Sequence, residues 1–149
     1  MNNEQRAADL ISAFGEMAGM PFFKLDEHNS AAARLEGGLR FEVEYLSGAN
    51  RLFMYALVGE AGVLGPEQAA RRNVAIAAQT GFSLGVCDIQ GEAGLILMTS
   101  LDLAETDVER FGDTAWRLVG AARNLIQKCG GASEAVSSPE SSSRGWLNV

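Results

Sequence analysis

Gly81-Phe82-Ser83-Leu84-Gly85 has the GxSxG spacing of a nucleophile elbow. In that device a strand enters the turn, the serine sits at its apex and a helix leaves it. Here a helical pattern ends at Gly81 and a strand pattern follows it. The single histidine, His28, lies upstream of Ser83, whereas the hydrolase order puts it downstream. Gly81 therefore reads as a helix end, and Gly85 as a strand glycine marking a bulge or a close approach. Gly59, Gly62 and Gly65 lie between a strand and a helix, with Asp88 at the end of the next strand. A dinucleotide loop needs GxGxxG inside a βαβ unit and free N–H groups at the helix start. The spacing here is GxxGxxG, the preceding strands form an antiparallel meander, and Pro66 removes one donor. Turn and cap chemistry accounts for these glycines.

The remaining candidates are equally plain. His28 sits in the polar stretch LDEHNS without a second histidine or a nearby cysteine, so it is no metal site. Glu42 and Glu44 share a strand face, and paired carboxylates do acid–base work only in a cleft that separates their pKa values. A solvated face is the simpler reading. Arg71-Arg72 is too short for a nucleic-acid patch and reads as helix surface or an interface ion pair. Cys87 and Cys129 fall on apolar periodic positions, as buried free thiols do, and fit a reducing cytoplasm. No catalytic residue and no metal ligand set emerges, and the pattern is that of a binding protein rather than an enzyme.

The elements that must carry such a function are well marked. The length of 149 residues bounds one domain with a real core. Net charge is -7, which opposes binding to phosphate backbones, so nucleic acid is not an expected partner. No apolar run reaches membrane-spanning length, and MNNEQRAADL lacks the make-up of a secretory signal.

Residues 3–18 place Ala7, Leu10, Ile11, Phe14, Met17 and Ala18 at helical spacing, with Asn2 or Asn3 as cap and Gly19 and Pro21 as terminators. Residues 31–58 read as a three-stranded meander. A two-residue turn at Gly37-Gly38 would put Leu35 opposite Arg40, whereas a three-residue loop from Glu36 to Gly38 sets Leu35 beside Leu39 and Ala33 beside Phe41; the apolar face favours the longer loop. Gly65 and Pro66 open a second, alanine-rich helix that ends at Gly81. Two further strands, 82–88 and 94–101, turn at Gly91. Thr106 with Glu109 fits a capping box for a last helix running to Cys129. From Gly130 the serine-rich composition reads as a disordered tail, 130–149, ending in Trp146-Leu147-Asn148-Val149. The fold class expected is α+β in the order α-βββ-α-ββ-α, a twisted antiparallel sheet with helices packed on it, in one domain of residues 1–129.

LEGGLRFEVEYLSGANRLFMYALVGE is similar to the strand-turn-strand-strand meander of the class I type III secretion chaperones, the Tir-chaperone (CesT-like) family. GPEQAARRNVAIAAQTGFSLGVCDIQGEAGLILMTSLDLAETD resembles that family's second helix, glycine-turned hairpin and "LxLxxTD"-like entry into the last helix. The resemblance spans roughly residues 4–129. It implies a cytoplasmic homodimer that binds the N-terminal segment of a secreted effector and keeps it soluble, partly unfolded and export-competent. It implies no cofactor, and it makes the ATPase of the secretion apparatus a further candidate partner. The serine-rich tail departs from the short C-termini of the family. YbjN-like proteins share the fold and offer an alternative, a sensory or scaffold domain not dedicated to secretion.

The resemblance sets the dimer interface on the second helix, at Ala70, Val74, Ala77 and Ala78. Candidate effector contacts are Leu10 and Phe14 on the first helix and Phe53, Tyr55 and Leu57 on the strand RLFMYALVGE. That strand is apolar on both faces. Leu52, Met54 and Ala56 continue the layer of Phe41, Val43 and Tyr45, suited to cover by the long helices. Phe53, Tyr55 and Leu57 face Glu44, Glu42 and Arg40 instead. Either a helix of the same chain covers them, or a client segment or dimer mate does.

Overall fold

The computed structural model describes residues 2–60, 62 and 64–136, with side chains through residue 128. Among these residues the elements are α1 (Asn3–Met17), β1 (Ser30–Arg34), β2 (Arg40–Leu46), β3 (Arg51–Glu60), α2 (Pro66–Thr80), β4 (Ser83–Ile89), β5 (Glu92–Asp102) and α3 (Val108–Val136). The strands form one five-stranded antiparallel sheet in the order β1-β2-β3-β5-β4. The α+β order expected from the sequence is the one observed.

Both hairpin registers follow from the apolar face. Ala33 pairs with Phe41 across a turn at Glu36–Gly38, where Gly37 and Gly38 have φ of 83° and 84°. Tyr45 pairs with Leu52, Val43 with Met54, Phe41 with Ala56, Glu44 with Phe53 and Glu42 with Tyr55. Any one-residue slip would turn all five pairs inside out. At the far end of β3 the register to β5 shifts between Leu57 and Gly59. Gly59 is thus a strand residue, part of a bulge rather than of a phosphate-type loop.

Helices α1 and α3 lie on the face that carries Phe41, Val43, Leu52, Met54 and Leu97. Burial of this apolar layer drives the packing. An aromatic run ties the layers together. Phe14 meets Phe111 edge-on at 4.9 Å and Phe23 at 5.7 Å, and Phe23 stacks on Phe41 at 5.8 Å. The segment after α1 folds back against the helix at Gly15, whose carbonyl accepts the Met20 N–H at 2.7 Å. A Cβ on Gly15 would stand 2.7 Å from the Met20 carbonyl oxygen and 2.8 Å from that of Phe23.

The entry into α3 departs from the capping-box expectation. Asp107, not Thr106, caps the helix, its Oδ1 accepting the Arg110 N–H at 2.8 Å. The Thr106 hydroxyl instead donates to the Asp102 carbonyl at 2.6 Å, and Asp102 accepts from Ala104 N–H at 3.0 Å. The run Leu101–Asp107 is therefore a strand-to-helix corner in which Leu101 and Leu103 are the buried pegs. The helix then runs through Gly130 and Gly131 to Val136, past the boundary that composition had set at 130. The rest of the serine-rich tail, with Trp146, lies outside the described residues, as does the Cys129 side chain.

Candidate protein-binding site

Ser83 opens β4 directly behind α2, and Gly81 is the left-handed residue that ends the helix. The GxSxG run is thus a helix-to-strand joint, the reverse of a nucleophile elbow. His28 is exposed beside Glu27 at 3.5 Å. Asp26 accepts the backbone N–H groups of Ser30 and His28, and these bonds hold its carboxyl below the ordinary aspartate range. It is a turn residue, not an acid or base.

Among the described residues no helix joins the apolar cluster on the second face of β3. Tyr55, Leu57, Ile89 and Ile96 form a small buried cluster there, with Phe53, Cys87 and Met98 partly covered around it. Glycines in the neighbouring strands make this possible. A Cβ on Gly94 would come within 2.7 Å of Leu57 Cδ1 and 3.0 Å of Ile89 Cγ1. One on Gly85 would meet Met98 Cε at 2.8 Å. Leu57, Ile89 and Met98 thus lie flat over backbone that has no side chains of its own. Arg40 and Glu42 close one side, with Nη2 to Oε2 at 3.2 Å.

This polar-apolar border is electrostatically tuned. Burial, followed by a hydrogen bond and charge repulsion from Glu42, pushes the Tyr55 phenol far above its ordinary value. Burial and then Glu42 also raise the Cys87 thiol, which keeps it protonated and a poor nucleophile. The folded state holds the Tyr55 proton to higher pH than the unfolded chain. The contribution is complete below the unfolded value near pH 10 and is lost as pH rises toward the folded one. In a phenolate absorbance titration Tyr55 is expected to ionise above the ordinary tyrosine range, and Tyr55→Phe to remove that late step. A Tyr55 step at the ordinary position would mean that the face is open to water.

The candidate effector residues therefore divide. Phe53 and Leu10 are half-buried and accessible, and Phe53 meets the Tyr55 ring at 5.7 Å. Tyr55 and Leu57 are buried by their own sheet neighbours. Phe14, 2% exposed, fills the core against Phe23 and Phe111 and offers no surface to a ligand. Helical spacing could not separate Phe14 from Met17 one turn on, which is 69% exposed. Phe22, Val86 and Trp116 are exposed apolar residues that the sequence reading did not single out. The adjacent phenylalanines Phe22 and Phe23 carried a signal, since both cannot point into one core.

Ala70, Val74, Ala77 and Ala78 recur at i, i+4, i+7 and i+8, and all four are exposed on one side of α2. No residue of this 15-residue helix is buried. Its other side leans on the core through Ala69 and Ile76. Asn73 Oδ1 accepts the Leu84 N–H at 2.8 Å, a bond from α2 to the outer edge of β4. At the opposite edge, residues 29, 31, 33 and 35 direct their backbone to β2, as the bonds Tyr45 N–H to Asn29 O and Leu35 N–H to Leu39 O require. Ser30 turns outward but is engaged by Asp26 on both its N–H and its C=O. Ala32 turns its N–H and C=O away from the sheet.

The sequence of residues 9–126 matches the model of the Tir chaperone protein (CesT) family. The chain belongs to this family. Solved structures agree on the fold of this CesT-family chain. A crystal structure of the ExsC–ExsE complex shares 22% identity over 85% of this chain and 96% of that one, with a TM-score of 0.71. The HopA1–SchA chaperone–effector complex gives 13% identity over 83% and 95%, with a TM-score of 0.70. YbjN from E. coli, described as a putative transcription regulator, gives 19% identity over 85% and 90%, with a TM-score of 0.53. No curated protein matches the chain in sequence. No helix among the described residues is long and apolar enough to cross a membrane.

Proposed function

We propose that the chain is a type III secretion chaperone, a cytoplasmic homodimer that holds the N-terminal segment of a cognate effector extended and competent for export. The family match over residues 9–126 carries this reading. Two of the similar folds are described as complexes with another protein, one of them a chaperone–effector complex. The surfaces supply a means. The outer face of α2 is an apolar helix face left exposed by the described residues, suited to a second copy. The open edge at Ala32 offers main-chain hydrogen bonds to an extended client segment, and Phe53, two strands in from that edge, offers a separate apolar contact on the sheet. Binding by backbone pairing accepts many sequences and asks only that the client stay unfolded.

Co-expression with the neighbouring reading frame, followed by mass spectrometry of what copurifies, tests the reading. Recovery of one stoichiometric client supports it. Recovery of none favours the YbjN-like alternative, which the 0.53 TM-score match keeps in view. Ala32→Pro tests the edge itself. Proline is tolerated on edge strands but removes the outward donor and blunts pairing. Loss of that one donated main-chain bond, worth about 0.5–1.5 kcal/mol, is expected to weaken client capture by roughly two- to tenfold with the fold intact. Unchanged capture would move the client to another surface.

A further inference from the structure

Between the inner side of α2 and the Ala121–Lys128 stretch of α3 lies a cleft of about 160 Å³. Leu97 and Leu125 form its buried floor, and Arg72, Gln79, Asn124 and Lys128 stand around it. Arg72 Nε is buried without a hydrogen-bond partner. Neither Arg72 nor Lys128 joins an ion pair among the described residues. The cations nearby are committed elsewhere. Arg71 pairs with Glu67 at 2.9 Å, Arg117 donates to the Thr80 carbonyl at 3.1 Å, and Arg123 donates to the Glu36 carbonyl at 2.7 Å.

A buried guanidinium donor without an acceptor is costly, and native proteins satisfy nearly all such groups. On a chain with 12 Lys and Arg against 19 Asp and Glu, two uncommitted cations at one apolar-floored cleft is a local reversal of charge. The cleft is too small for a helix and the right scale for one extended side chain. Its chemistry asks for a carboxylate at the Arg72–Lys128 rim and a methylene stem against Leu97 and Leu125. A glutamate has both. Charge-assisted bonds to Arg are shorter and stronger than neutral ones, so the carboxylate dominates recognition.

We propose that this cleft binds a glutamate side chain of a peptide partner. Resting on the chaperone reading, the partner is the client, and the cleft sets a preference for an acidic residue within its captured segment. The outer face of α2, with Val74 and Ala77, stays available for a second copy while the inner face binds the glutamate.

The probe is acetyl-Ala-Glu-Leu-Ala-amide, titrated into the isotope-labelled full chain and followed by NMR. The Arg72 Nε–H and the side-chain amides of Gln79 and Asn124 are expected to shift. The glutamine version of the peptide, and the Arg72→Gln/Lys128→Gln chain, should each bind at least about fivefold more weakly. Equal binding of the glutamate and glutamine peptides to the wild-type chain would overturn the proposal, independently of how the double variant folds. So would acetate alone shifting the same signals as strongly, or shifts confined to other surfaces. Client copurification is scored separately. A double variant that captures client normally removes the client preference and leaves the chaperone reading standing. A wild-type chain that captures no client removes that reading, and the peptide titration still decides the cleft.

Discussion

Gly15→Ala is expected to destabilise the chain by about 2 kcal/mol, although alanine is the better helix former. The helical gain is about 1 kcal/mol. Against it, the added Cβ meets the Met20 and Phe23 carbonyl oxygens at 2.7 and 2.8 Å. Those atoms belong to backbone, so no rotamer change relieves the clash, and overpacking of this kind costs about 3 kcal/mol. In a chain of this size the melting temperature should fall by roughly 4–8 °C. Gly120→Ala is the matched comparison, since a Cβ there has nothing within 4 Å. It should stabilise by up to about 1 kcal/mol. Thermal melts of the pair should move in opposite directions. If Gly15→Ala also stabilises, the segment from Met20 to Phe23 does not fold back on α1 as described.

The second large effect is on assembly. Val74→Glu with Ala77→Glu is expected to convert a dimer into a monomer. Val74 is 72% exposed, so the isolated fold has no need of it. In an interface, by contrast, an unpaired buried charge costs about 3–5 kcal/mol, which weakens association by roughly two to four orders of magnitude. Light scattering at micromolar concentration should show the wild type at twice the chain mass and the variant at the chain mass. Circular dichroism should be unchanged. A wild type that is already monomeric would remove the homodimer from the proposed function.

The sheet was legible because its information is periodic. Leu39, Phe41, Val43 and Tyr45 alternate with Arg40, Glu42 and Glu44, and only one register keeps Ala33, Leu52 and Met54 on their face. The punctuation of α2 was legible too, since Gly65, Pro66 and Gly81 each answer a local backbone need. Tertiary substitution was not. Thr106 and Asp107 are both good caps, and which one serves depends on the Asp102 carbonyl that captures the Thr106 hydroxyl. Alternation showed that Phe53, Tyr55 and Leu57 share a face. It could not show that Gly85 and Gly94, on other strands, leave room for their neighbours to lie down over it. The shared exposure of Ala70, Val74, Ala77 and Ala78 on one side of α2 was readable from their helical spacing. Phe14 was misplaced because burial around a helix depends on what packs there. The Arg72–Lys128 cleft was invisible, because its two cations are 56 positions apart.

The bond from Asn73 to the Leu84 N–H has a use beyond holding a helix to a strand. The amide at Leu84 is shielded from water only while α2 is seated. Its rate of exchange with deuterium is therefore a clock for the lifting of that helix. A partner that clamps α2 from outside should slow this one amide without touching it, while Ala32 at the opposite rim keeps its pace. A single signal would then report how tightly two copies hold each other, in the full chain and without a label.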